Sequence, residues 1–155
     1  FDKGKMFARY HWVAQTIWRA SIIMLALAFI FLGARSYAQD VAVIESEMVV
    51  TAKWVAANLP PDVLIAAHDI GALGYFDYHE LIDLAGLVSP DVISFIRDEP
   101  QLANYLNQRG ADYLIAFPEF YPLLTANAES VFATNSAITP KFGQKNMVVY
   151  RWKSP

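Results

Sequence analysis

Two histidines stand beside carboxylates in this sequence: His68-Asp69, and His79-Glu80 with Asp83 close behind. Imidazole and carboxylate are ligand types that zinc, manganese and iron accept. Neither pair has the i, i+4 helical spacing of a zincin motif, and a His-Asp step at a strand end serves equally well as a capped turn. No metal is therefore expected. What distinguishes the first pair is its position. It follows the apolar run Val63-Leu64-Ile65-Ala66-Ala67, which reads as a buried strand, and α/β sheets take ligands at the carboxyl ends of their strands. The candidate ligand pocket is accordingly His68 and Asp69 with the two glycines beyond them, Gly71 and Gly74. Gly71-Ala72-Leu73-Gly74 would let a phosphate approach the backbone, but it lacks both the dinucleotide fingerprint and the Lys-Ser/Thr of a P-loop. The competing reading is that the glycines admit a tight turn under Tyr75 and Phe76.

Other chemistries are excluded by what the chain lacks. It has no cysteine, which removes disulfides, thiolate metal sites, cysteine-held iron–sulfur clusters, covalent haem attachment and a cysteine nucleophile. There is no Gly-x-Ser-x-Gly elbow for a serine hydrolase. Asp77, Asp83, Asp91 and Asp98 read mostly as a solvated acidic face. No catalytic residue and no cofactor is expected. Phe117, Phe120 and Tyr121, set around Pro118 and Pro122, form either an exposed contact for a partner or part of the core.

The elements that must position these residues follow from periodicity. Val41, Ile44, Met48, Ala52, Val55 and Leu59 recur at helical three-and-four spacing, and Pro60-Pro61-Asp62 stops that helix. After the strand at residues 63–68 and its glycine turn, residues 81–84 form a second strand candidate. Ser89-Pro90-Asp91 caps a short helix through Ile96, and Asp98 with Pro100 caps another that ends at Gly110 and sets Leu102, Tyr105 and Leu106 on one face. Residues 113–117 are a third strand candidate, 119–124 one or two turns, and 131–134 a weak strand. In 147–152 Val148, Tyr150 and Trp152 alternate with Met147, Val149 and Arg151, as in a strand with one more exposed face. Strand, helix, strand predicts an α/β domain, layered about a short, mostly parallel sheet.

Ahead of that domain lies the strongest physical signal. Fifteen uncharged residues separate Arg19 from Arg35. As a helix they cover only about 22 Å, but Trp12 to Ala34 would cross the roughly 30 Å hydrocarbon layer, with Arg19 snorkelling and Trp12 and Trp18 at the interface. Residues 1–35 carry five basic side chains against one acidic, and residues 36–155 seven against fourteen. Positive charge before the span places the amino end in the cytoplasm. The expected organisation is a basic cytoplasmic segment at 1–12, anchored at Trp12, Trp18, Arg19 and Arg35, a transmembrane helix at 13–35, and an exported domain at 36–155. A cleaved signal peptide ending near Ser36-Tyr37-Ala38 is the alternative. The start at Phe1 in place of Met points to a piece of something longer. The acidic domain gives nucleic acid no purchase.

From about residue 20 onward the chain resembles the carboxyl-terminal part of bacterial GT-C membrane glycosyltransferases of the dolichyl-phosphate-mannose protein mannosyltransferase-like group. The segments that carry the resemblance are the apolar helix, VIESEMVVTAKWVAANLPPD, AHDIGALGYF, LIDLAGLVSPDV and ADYLIAFPE, in that order. The resemblance implies a multi-spanning enzyme that transfers a sugar from a polyprenyl phosphate and carries a small exported α/β domain after its last helix. The family's catalytic carboxylate lies in an early exported loop with no counterpart here, so no catalytic residue carries over.

Three functions are therefore expected in competition. The first is a non-catalytic single-span subunit in the bacterial inner membrane, with its domain periplasmic or extracellular. It would touch lipid and other transmembrane subunits of a larger complex, such as a respiratory or photosynthetic one. The second is the carboxyl-terminal portion of a GT-C glycosyltransferase, and the third a periplasmic ligand-binding module using the His68 pocket.

Overall fold

The structure, a computed structural model, describes residues 3–126 and 128–152, with side chains from Tyr10 onward. It divides into two compact units, one ending at Val41 and the other beginning at Ala42.

The first unit belongs to helix α1, Lys3–Val43. Every residue from Tyr10 to Ala38 is exposed, including Trp12, Trp18, Arg19 and Arg35, and no apolar stripe sets one face of the helix apart from another. Its most apolar 18-residue window has a mean hydropathy of 2.1, with none of it buried inside the protein. Among the described residues there is one helix long and apolar enough to cross a membrane, as a span or a signal sequence would be.

The second unit is the α/β domain. Following α1, one π turn at Ile44–Val49 leads into α2, Val50–Asn58. Leu59 is extended (ψ 149°), as a residue before proline must be, and the helix ends there. The strands are β1 (Leu64–Ala67), β2 (Glu80–Asp83), β3 (Tyr113–Ala116), β4 (Glu129–Ala133) and β5 (Val148–Arg151). They form one sheet in the order β2-β1-β3-β5-β4. β1 pairs parallel with β2 (Ile65 opposite Leu81) and with β3 (Ala66 opposite Leu114). β5 runs antiparallel to β3 and β4. The parallel expectation holds for one half of the sheet, and the half built by β5 and β4 is antiparallel.

Helices cover both faces. On one side α2 and α3 (Gly71–Phe76) bury Ala52, Val55 and Leu73 against Ile65, Ala67, Ile115 and Val149. On the other, α4 (Glu99–Arg109) and α5 (Pro122–Thr125) bury Leu102, Leu106 and Leu124 against Ala66, Leu114 and Tyr150. This explains the unbroken apolar run of β1, whose residues alternate between two buried faces. It also corrects the reading of the last strand. β5 is internal, so Met147 and Val149 enter one core and Tyr150 the other, and neither face is the exposed one.

Local signals hold in part. The Asp98 carboxylate accepts from Gln101 N, and Gly110 closes α4 in the left-handed conformation at φ 73°. Ser89 departs from expectation: its side chain makes no cap bond, the segment Pro90–Phe95 is a 3-10 helix, and the Ser89 hydroxyl instead accepts from Asp83 N at 3.1 Å. Gly71 and Gly74 lie inside α3 with nothing near a Cβ and no positive φ. They therefore serve no tight turn, because the chain after β1 turns directly into helix. The weak strand expected at 131–134 begins earlier, as β4.

Candidate functional site

β1 and β3 are neighbours, yet the chain leaves them toward opposite faces of the sheet. α3 follows β1 into the core shared with α2, whereas the loop after β3 leads to α5 beside α4. Such divergence opens a crevice at the carboxyl ends of the two strands, the switch point where open α/β sheets take ligands. A crevice of about 510 Å³ does lie there, lined by His68, Ile96, Arg97, Glu99, Phe120 and Tyr121. Its volume falls in the range of small-molecule sites.

Each lining residue is set by its element. His68 is the first residue beyond β1, and its backbone N–H still donates to Ile115 O of β3. Its Nδ1 lies 2.8 Å from the Tyr121 hydroxyl, and its ring meets Phe120 and Tyr121 edge-on, with centroids 5.5 and 5.7 Å away. Burial, reinforced by the carboxylates of Asp69, Asp83 and Glu99, pushes the Tyr121 phenol up to about 12, so it stays protonated and shares one hydrogen with the imidazole. His68 Nε2 has no partner among the described residues. Glu99, on the first turn of α4, accepts from Leu123 N and Leu124 N with one oxygen, at 2.8 and 2.9 Å. Arg97 is exposed and makes no ion pair among the described residues.

The expected site residues separate. His68 lines the crevice, whereas Asp69, Gly71 and Gly74 do not. Asp69 sits beside it, half-buried, its carboxyl raised by burial, lowered by His68 and raised again by Asp83. The aromatic trio divides three ways. Phe117 packs in the α2–α3 core, Tyr121 in the α4–α5 core, and Phe120 is 46% exposed on the crevice wall. Arg97 and Glu99 were not expected in the site; no periodicity marks them, and only the packing of α4 beside β3 brings them there.

The second histidine has a structural use. His79 Nδ1 lies 2.7 and 2.8 Å from the two oxygens of Asp77, and Nε2 lies 2.7 Å from Pro60 O. With both ring nitrogens engaged, it joins the turn after α2 to the end of α3. Asp83 is fully buried and accepts from Ala85 N and Val88 N, which pins the loop after β2. Among the described residues no group of three or more His, Cys, Asp or Glu could hold a metal ion.

One buried charge stands out. Glu47, in the π turn, is fully buried and accepts from Thr134 Oγ1, Thr139 Oγ1, Asn146 Nδ2 and Met147 N. All four donors belong to the connection between β4 and β5. In sequence Glu47 is one of several acidic residues after the apolar helix, with nothing to separate it from Glu45.

No curated protein and no solved structure matches the chain. One family model does, over residues 33–150, which takes in the end of α1 and almost all of the α/β domain. The chain therefore belongs to the family described as Domain of unknown function (DUF8728).

Proposed function

We propose that this chain is a membrane-tethered, non-catalytic module of a larger bacterial membrane assembly, with α1 as its tether and the α/β domain at work on the exported side. The observation that carries the reading is the exposure of the apolar helix around its whole circumference from Tyr10 to Ala38. Water does not tolerate so long an apolar cylinder, whereas lipid and neighbouring helices do. The basic residues before the span orient it with the amino end in the cytoplasm. In the domain the buried carboxylates of Glu47 and Asp83 are taken up by backbone and hydroxyl donors, which is the mark of structural use.

Among assemblies of this kind, a polyprenyl-phosphate-dependent GT-C glycosyltransferase is the one that the residues favour. The segments AHDIGALGYF and LIDLAGLVSPDV, which carry that resemblance, run from β1 through α3 and from β2 through its pinned loop. The module would stand beside the catalytic membrane region and contribute no reacting group of its own.

Purification from membranes in mild detergent, followed by intact mass and peptide mapping, tests both parts. The module resists alkaline extraction from the membrane and is recovered with additional transmembrane segments, in its own polypeptide or in partners. Peptides of a multi-spanning glycosyltransferase identify the assembly. Recovery as a free soluble domain overturns the tether, and recovery with an unrelated complex overturns the glycosyltransferase assignment.

A further inference from the structure

The crevice at the ends of β1 and β3 has two poles of opposite charge that do not satisfy each other. Arg97 stands exposed at the rim and Glu99 lies in the wall, two residues away in sequence, yet they form no ion pair. Glu99 gives one oxygen to Leu123 N and Leu124 N, which leaves the other available. The carboxylates of Asp69 and Asp83 lie behind the lining, and with Glu99 they act on the Tyr121 phenol, which does line it. The same lining holds His68, whose Nε2 has no hydrogen-bond partner among the described residues, and the apolar side chains of Ile96 and the half-exposed Phe120.

A simple anion would meet the Glu99 carboxylate in the lining, and a simple cation would meet the Arg97 guanidinium. A molecule that carries both charges satisfies both ends. We propose that this crevice binds a small zwitterion of the α-amino-acid class, with its carboxylate on Arg97, its ammonium toward Glu99 and its side chain against Phe120 and Ile96. Guanidinium takes a carboxylate through two parallel hydrogen bonds, and an ammonium beside an aromatic ring gains from the ring face as well. A volume of about 510 Å³ accommodates a ligand of that size. The site is independent of the tether, because every residue in it belongs to the α/β domain.

The test is a titration of the full chain in detergent micelles, read by the histidine ring signals in NMR and by calorimetry. The probes are L-alanine, L-phenylalanine, acetate, ethylammonium, inorganic phosphate and methyl glucoside. The expected result is saturable binding of the amino acids that shifts the His68 ring, with acetate and ethylammonium weaker by about tenfold or more, since each leaves one charged contact unmade. Arg97→Ala, at an exposed residue outside the core, weakens amino-acid binding by a similar factor. Glu99→Gln keeps an oxygen for Leu123 N and Leu124 N and weakens it likewise. Tighter binding of phosphate or of the glucoside, equal binding of the single-charge probes, unchanged affinity in Arg97→Ala, or no amino-acid binding in the millimolar range each overturns the proposal.

Discussion

Glu47 is the residue on which the antiparallel half of the sheet depends. A carboxylate with no solvent exposure needs donors on its lone pairs, and the β4–β5 connection supplies four. Glu47→Ala leaves those donors facing an empty site and costs about 3 kcal/mol or more. Glu47→Gln, which keeps one acceptor oxygen, costs less. Urea unfolding followed by tryptophan fluorescence reports the loss, because Trp54 stacks on Phe132 of β4 with ring centroids 4.5 Å apart. Faster hydrogen exchange at Met147 N accompanies it, and unchanged exchange there refutes the role. Thr51 supplies the opposite case. Its buried hydroxyl has no hydrogen-bond partner among the described residues, so Thr51→Val removes an uncompensated desolvation and raises stability by up to about 1 kcal/mol; a loss of similar size refutes this. Asp69 sets a pH dependence. Burial, more than any neighbour, raises its carboxyl above the ordinary 3.8, so the folded state holds this proton more tightly than the unfolded one. That contribution to stability is complete below 3.8 and is lost as pH rises through the folded value. Asp69→Asn is therefore more stable than the parent at neutral pH, and the two converge in acid; parallel pH profiles contradict this.

At the scale of elements, the signals carried by a single local pattern were readable and those set by tertiary packing were not. α4 announces itself with Asp98 before it, Pro100 in its first turn and Gly110 after it. Asp98→Ala removes the cap to Gln101 N and costs about 1 kcal/mol, measurable as a lower urea midpoint with an unchanged slope. The helix at residues 40–59 is readable as a helix and its inward face in part, since Met48, Ala52, Val55 and Leu59 of the expected stripe pack in the α2–α3 core. A π turn holds more than the usual number of residues per turn; within it Glu47 and Val49 are buried and beyond it Thr51, Ala52 and Val55, while Val41 and Ile44 stay exposed. Nothing in IESEMV signals that widening; it is legible only once the four donors around Glu47 are seen. The strand β1 and its position beside His68 were legible because a run of five apolar residues before a polar pair has few other uses. The rest of the crevice lining is not, since Arg97, Glu99 and Phe120 reach it from two separate segments whose meeting depends on strand order. Parallel and antiparallel pairing of short strands share one hydrophobic pattern, which is why the reversal at β5 escaped a reading by periodicity.

For the whole molecule, the decisive contrast is between a unit with no buried residue among those described and a unit with two cores. Each core closes within the α/β domain: Ile82, Leu102 and Leu114 on one face and Ile65, Val55 and Val149 on the other are at most 1% exposed. No described residue from Tyr10 to Ala38 belongs to either. If the surroundings of the apolar helix are lipid, charge in its middle is costly at about 2.5–3.5 kcal/mol per arginine, while the domain should be indifferent to it. The double substitution Leu27→Arg with Ile30→Arg separates the two effects, because both side chains are more than half exposed in the structure. The expected result is a chain that alkaline carbonate releases from the membrane fraction, while hydrogen-exchange protection at Val149 in the centre of the sheet is unchanged. Continued retention in the membrane would mean that the helix is not the tether. Loss of protection at Val149 would mean that the two units are energetically one, and that the apolar helix belongs to the folding of the domain.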